Sequence, residues 1–305
     1  MSEKNVLIVS SSPHLRSKEN VRTIMLDVII ALIPALIAAV YIFGMRALSL
    51  TLVTVAAAVI AEFVSQKAMK KEVTIKDLSA VVTGMLLAFN LPVSFPYWMA
   101  AFGAVFAIVV VKQLFGGLGN NFMNPALAAR AVLLASWPDK MGAFTKPFAD
   151  NVASATPLAG KPVEMMDLFL GNIPGTIGEV SKVAILIGAL YLLIKGVIHI
   201  RIPLVYILTT GVCLFLFKYD LEDTVMQLLS GGLLFGAFFM ATDYATTPMT
   251  KKGQIIFAVG AGLLTAIIRV YGGYPEGVSY SILLMNVCTP LIDKYVKPKT
   301  FGGAK

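Results

Sequence analysis

Ten apolar segments follow one another along the chain, separated by shorter polar stretches. A helix needs about 20 apolar residues to cross a bilayer. Two segments are short, since one ends just before Pro92 and another begins just after Pro125. The pattern predicts an all-α polytopic membrane protein with about ten transmembrane helices, some of them short and broken. The segments span residues 23–43, 48–64, 80–91, 97–111, 126–137, 183–198, 203–217, 225–241, 255–270 and 279–292.

Composition agrees with the membrane class. The 305 residues are 57% hydrophobic and 14% charged, whereas soluble domains are about 45–50% apolar and about 25% charged. Cys213 and Cys288 lie in apolar segments and form neither a disulfide framework nor a zinc pattern. Motifs typical of hydrolases and nucleotide-driven pumps are absent, and the two histidines lie in polar segments, which gives no haem signal.

The number of basic residues alternates from one loop to the next along the chain. With the N-terminus inside, the inner segments hold about 17 Lys and Arg and the outer segments roughly seven, with Lys112 counted as inner and Lys182 and Arg269 as outer. The bias predicts that both termini are cytoplasmic. The net charge of +8 therefore indicates cytoplasmic loops rather than a nucleic-acid partner. Residues 1–21 lack the apolar core of a cleavable signal peptide.

Two halves of the chain share a pattern. Gly116-Gly117 precedes Met123-Asn124, and Gly272-Gly273 precedes Met285-Asn286. The halves are offset by five segments, so they would insert with opposite topology, as inverted repeats do. The alternative is that Gly and Pro are simply common in membrane helices. The predicted organisation is a cytoplasmic segment 1–21, a five-helix repeat 22–137, an extracytoplasmic segment 138–179, a second repeat 180–293 and a cytoplasmic tail 294–305.

The helix breaks offer candidate binding groups. Residues 119–125 supply free backbone N–H groups and amide side chains that suit a heterocycle, and the loop from Asp243 supplies another break. Ordinary helix capping explains both equally well. Asp27, Glu62 and Arg130 are ionisable groups near or within apolar segments, where such groups are often functional. Asp27 and Glu62 lie close enough to the interface to snorkel.

The segment 138–179 is the longest polar interruption, and it contains Asp150-Asn-Val-Ala-Ser-Ala-Thr156. The hydroxyl of Thr156 is flanked by small residues and is sterically open to attachment of a large group. On local pattern alone, an ordinary loop leading into Pro157 is favoured.

Those seven residues fit D-x-x-[ST]-[GS]-A-[TS], the pattern read by the flavin transferase that joins FMN to Thr, except that Ala153 replaces Ser or Thr. Four other stretches resemble further motifs of the family that carries this pattern, and they lie at residues 12–17, 116–127, 173–181 and 240–248. In these motifs the chain resembles the NqrB/RnfD family along nearly its whole length. That family includes the D subunit of Rnf complexes and the B subunit of the sodium-pumping NADH:quinone reductase.

The resemblance implies a membrane subunit of an ion-translocating ferredoxin:NAD oxidoreductase that couples electron transfer to Na⁺ or H⁺ movement. It implies a bacterial or archaeal cytoplasmic membrane, partner subunits of the A, B, C, E and G types, and maturation by a flavin transferase. A secondary transporter and a cofactor-free scaffold subunit are the alternatives, but neither needs the heptad that ends at Thr156.

The resemblance also implies two flavins. FMN would be joined covalently to Thr156 through a phosphoester, and a second, noncovalent flavin, riboflavin in the family, would lie within the membrane part. The implied cofactor-binding residues are Asp150, Ser154, Ala155 and Thr156 in the attachment motif, Gly175, Thr176 and Gly178 around the FMN, and Asn121 and Asn124 at the second flavin. Of these, Asp150 and Ala155 would serve recognition by the transferase.

Overall fold

The computed structural model describes residues 20–148, 153–154, 158, 164–272 and 276–297. All ten apolar segments are helical in this part of the chain, and the all-α class is confirmed. The helices are α1 (Val21–Phe43), α2 (Met45–Ala68), α3 (Ser79–Phe89), α4 (Tyr97–Phe106), α5 (Pro125–Ser136), α6 (Pro138–Met141), α7 (Met165–Leu170), α8 (Lys182–Ile194), α9 (Arg201–Phe217), α10 (Leu221–Leu229), α11 (Leu233–Phe235), α12 (Lys251–Tyr271) and α13 (Val278–Tyr295).

Three of the described helices, α1, α2 and α12, are long and apolar enough to cross a membrane. The predicted segment 225–241 is not one straight helix, because α10 and α11 meet at 63°. Gly231, with φ of 66°, lies at the break, and glycine adopts positive φ without the steric cost that other residues pay. Two helices continue as π-helix, α4 over Ala107–Gln113 and α11 over Gly236–Met240.

Large apolar side chains face outward along the helices. Ile37 on α1, Ile60 on α2 and Leu208 on α9 are 64%, 62% and 57% exposed. Water-soluble monomers rarely carry large contiguous apolar patches, whereas lipid chains cover such faces at no cost. The described part of the chain is therefore that of a multi-pass membrane protein.

The two halves of the chain meet along several helices. α1 packs on α8, and α5 packs on α13. α3 meets α11, where the rings of Phe89 and Phe235 lie 5.8 Å apart. The α1–α8 contact is very close, since a Cβ added to Gly188 would overlap the carbonyl oxygen of Ala31. Backbone therefore touches backbone where the two halves join.

The segment after α5 folds against the end of α3. It forms α6, then two antiparallel strands of two residues each, β1 (Phe144–Thr145) and β2 (Ala153–Ser154), and then α7. The N–H of Gly178 donates to Phe89 O at 2.7 Å. A Cβ on Gly178 would lie 2.6 Å from Phe89 Cβ, so only glycine fits there without a shift. We call this end of the bundle the outer end, and the opposite end, with the starts of α1, α3 and α5, the inner end.

Candidate functional site

A cavity opens at the inner end. Its volume is about 90 Å³, and it is partly open to solvent. Its walls come from the starts of α1, α3 and α5 and from the ends of α4, α8 and α11. The lining is mainly apolar, and its polar side chains are those of Ser79, Thr83, Lys112, Asn121, Asn124, Thr242, Asp243 and Tyr244.

Asn124 joins the cavity wall to both halves of the chain. Its side-chain oxygen caps α5 by accepting from the N–H groups of Ala126 and Leu127 at 3.0 and 3.2 Å. Its own N–H donates to Oδ1 of Asn286 at 3.1 Å, and its Nδ2 donates to Met240 O at 3.4 Å. Asn124 thus both caps α5 and lines the cavity, and it is in direct contact with Asn286 on α13.

A buried ion pair borders the same cavity. Lys112 Nζ donates to Glu62 Oε1 and to Ser79 Oγ, each at 2.6 Å, and Gln113 Nε2 donates to the same Glu62 oxygen at 2.8 Å. Glu62 and Lys112 are 0% and 2% exposed. The expectation that Glu62 snorkels to the interface is wrong, because its side chain is buried and paired with Lys112. The count of Lys112 as an inner loop residue is corrected, because its ammonium group is buried in the same ion pair.

Two further carboxylates lie at the inner end. Asp243 accepts from Ala245 N–H at 3.3 Å and from Thr246 Oγ1 at 3.2 Å, and desolvation raises the pKa of its carboxyl. Asp27 accepts from the hydroxyl of Tyr191 at 2.7 Å and lies 3.9 Å from Lys195 Nζ. These two hydrogen bonds stabilise a local turn, and Asp243 does not cap a helix, since α12 is capped by Thr250.

A second charged cluster is buried at the outer end. Arg130 bonds to the carboxylate of Glu276 and to Ser279 Oγ, and its Nε donates to Asn90 O at the end of α3, 3.3 Å away. Arg130 is 4% exposed. One guanidinium therefore ties the end of the short helix α3 to the start of α13.

The break between α10 and α11 is held by two more cations. Arg269 bonds to Gln227 O and, at 3.2 Å, to Ser230 O. Lys182 Nζ lies 3.3 Å from Gly231 O. Cations are favourable where helix carbonyls end. The count of Lys182 and Arg269 as outer loop residues is corrected, since they are 0% and 7% exposed; the inner excess of basic residues persists without them.

The predicted cofactor-binding residues that the structure describes lie at both the inner and the outer end of the bundle. Asn121 and Asn124 line the inner cavity. Thr176 lies at the outer end, 1% exposed, with a buried hydroxyl that has no partner among the described residues. Gly175 and Gly178 lie in the same stretch. Asp150, Ala155 and Thr156 lie outside the described residues, as does the side chain of Ser154.

The described residues include no group of three or more His, Cys, Asp and Glu side chains that suits a metal ion. The fold and cavity thus define a polytopic membrane protein with a mainly apolar cavity beside a buried ion pair. Within this class, the chain belongs to the NQR2, RnfD, RnfE family, whose model matches residues 8–302. The family resemblance predicted from the motifs is confirmed.

The relatives are similar along their full length. The D subunit of the Na⁺-translocating ferredoxin:NAD⁺ oxidoreductase complex of Acetobacterium woodii is 54% identical, over 100% of this chain and 98% of the relative. The D subunit of the proton-translocating ferredoxin:NAD⁺ oxidoreductase complex of Clostridium ljungdahlii is 45% identical, over 98% and 97%. The D subunit of the ion-translocating oxidoreductase complex of Escherichia coli is 34% identical, over 98% and 99%.

Proposed function

We propose that this chain is the D-type membrane subunit of an ion-translocating ferredoxin:NAD⁺ oxidoreductase that couples electron transfer to Na⁺ or H⁺ movement. The observation that carries the proposal is the 54% identity, over the full length, to a relative of that name. The chain would assemble with the other subunits of such a complex in the cytoplasmic membrane.

Removal of this chain from its host should abolish ferredoxin-dependent NAD⁺ reduction by the membranes, because the electron path would lack one subunit. Reintroduction of the intact chain should restore the activity. The measurement is NADH formation by washed membranes supplied with reduced ferredoxin. Full activity in membranes that lack the chain would contradict the proposal.

The ten helical segments form two inverted five-helix repeats in this proposal. The support is that matching helices pair, α1 with α8 and α5 with α13, and that the third helix of each repeat is short or broken. Both termini would be cytoplasmic, as the excess of Lys and Arg at the inner end indicates.

Labelling of single cysteines tests this orientation. Lys140 and Lys71 are both exposed, at the outer and inner ends respectively. In a chain whose own Cys213 and Cys288 are replaced by Ala, a membrane-impermeant maleimide added to intact cells should label the Lys140→Cys variant, and should label Lys71→Cys only after the membrane is permeabilised. The reverse pattern would overturn the orientation.

Covalent FMN on Thr156 is the first of two proposed cofactors. It is supported by the heptad Asp150–Thr156. Leu158, which follows this motif, packs at the break between α10 and α11, since a Cβ on Gly231 would lie 2.7 Å from Leu158 Cδ1. Asp150 and Ala155 would be read by a flavin transferase, while Gly175, Thr176 and Gly178 would shape the flavin environment.

The inner cavity is the proposed site of a second, noncovalent flavin, and the groups that line it support this assignment. An isoalloxazine ring has apolar faces and a polar edge that both donates and accepts hydrogen bonds. The cavity offers aromatic walls at Phe238 and Phe239 and amide groups at Asn121 and Asn124. When bound, this flavin would carry electrons at the inner end, while the protein supplies position and electrostatics.

One flavin per chain should be released by acid from the purified protein that lacks covalent FMN.

A further inference from the structure

Lys112 combines three properties that the proposed function does not yet use. Its side chain is 2% exposed, it lines the inner cavity, and two side chains hold its ammonium, Glu62 and Ser79. An ammonium group has three N–H donors, and the described residues take two of them. Glu62 compensates the buried charge of Lys112, and the third N–H donor is left for a ligand at the cavity wall.

The ion pair also has an asymmetry. Glu62 Oε1 accepts from both Lys112 and Gln113, whereas the buried Oε2 atom of Glu62 has no partner in the described part of the chain. Lys112 lies on the π-helical stretch at the end of α4. Such stretches often occur at functional sites. Glu62 lies behind Lys112 and does not line the cavity, whereas the carboxylate of Asp243 does.

We propose that Lys112, positioned by Glu62 and Ser79, donates a hydrogen bond to the acceptor edge of the flavin in the inner cavity and stabilises its reduced, negatively charged form. The inference rests on the second flavin proposed above. The oxidised ring is neutral. Reduction adds two electrons, from the low-potential iron–sulfur donor that feeds the complex, and one proton from water, which leaves one negative charge on the ring.

Electrostatics then predicts opposite effects from the two partners. Replacement of Lys112 removes a positive charge from the cavity wall and disfavours the reduced flavin. Replacement of Glu62 by the near-isosteric Gln removes the negative charge behind Lys112, keeps an acceptor for its ammonium, and favours the reduced flavin. A purely structural role for this pair would not produce shifts of opposite sign.

The test uses the full chain in detergent with Thr156→Val, so that no covalent FMN contributes to the signal. Dithionite titration followed by flavin absorbance gives the midpoint potential of the bound flavin. In Lys112→Met, the affinity for the reduced flavin relative to the oxidised flavin should fall about tenfold. For a two-electron couple, this lowers the midpoint potential of the bound flavin by about 30 mV. Glu62→Gln should shift the potential upward. Lys76→Met, which removes an exposed charge at the same end, should leave it unchanged.

The outcomes separate the two proposals. If the Thr156→Val protein carries no flavin that acid releases, the second flavin is wrong. If flavin is present but its potential in Lys112→Met equals that in Lys76→Met, the role of Lys112 is overturned while the cofactor stands. Should Lys112→Met fail to fold, Glu62→Gln decides, since an unchanged or lowered potential contradicts the proposal.

Discussion

Replacement of Thr156 by Val should remove all covalently bound flavin from the chain. Valine has nearly the shape of threonine but no hydroxyl oxygen, so no phosphoester can form. The expected result is complete loss of the fluorescent band when the denatured protein is viewed under ultraviolet light after electrophoresis. Ferredoxin-dependent NAD⁺ reduction by the membranes should fall with it, because one carrier in the path is missing.

Two matched samples give this experiment its controls. Thr156→Ser keeps the hydroxyl and should keep the fluorescent band, because the attachment pattern accepts either residue. Wild-type protein from cells without the flavin transferase should be dark. A dark wild-type band from cells that contain the transferase would contradict covalent attachment, as would a bright Thr156→Val band.

Replacement of Arg130 by Met should strongly destabilise the protein. The substitution leaves the carboxylate of Glu276 without its cation at the outer end and removes the donor from the carbonyl of Asn90. Breaking one side of a buried ion pair costs about 3–5 kcal/mol. The melting temperature of the purified chain in detergent should therefore fall by roughly 5 °C or more.

The exposed residue Arg22 provides the control. Arg22→Met removes the same charge and should leave the melting temperature almost unchanged. The double variant Arg130→Met/Glu276→Gln should lose less stability than the sum of its single changes, because it leaves no uncompensated carboxylate. Equal melting temperatures for Arg130→Met and Arg22→Met would show that the cluster does not hold the outer end.

Hydropathy alone predicted the helices well. The apolar segment 23–43 agrees with α1 to within two residues, and 126–137 agrees with α5 to within one. Such segments are predictable because helix formation and membrane burial both depend on the local run of residues. The segment 225–241 differs, since its polar and glycine positions around Gly231 permit a sharp bend that average hydropathy does not register.

The buried charged residues were harder to predict, because their partners lie far away in the sequence. Lys112 and Glu62 are 50 positions apart in sequence, and Arg130 and Glu276 are 146 apart. A charge at the end of an apolar run has the same local pattern whether it faces water or a buried partner. Asn121 and Asn124 were identified through motif resemblance, whereas the cavity walls at Phe238 and Phe239 depend on the packing of helices from both halves.

The close contact of Gly188 with Ala31 has a mechanical consequence. A Cβ at position 188 would overlap the carbonyl oxygen of Ala31, so any residue larger than glycine would push α1 and α8 apart. Gly188 therefore sets the distance between these two helices, and with it the spacing of the two halves of the chain where they join.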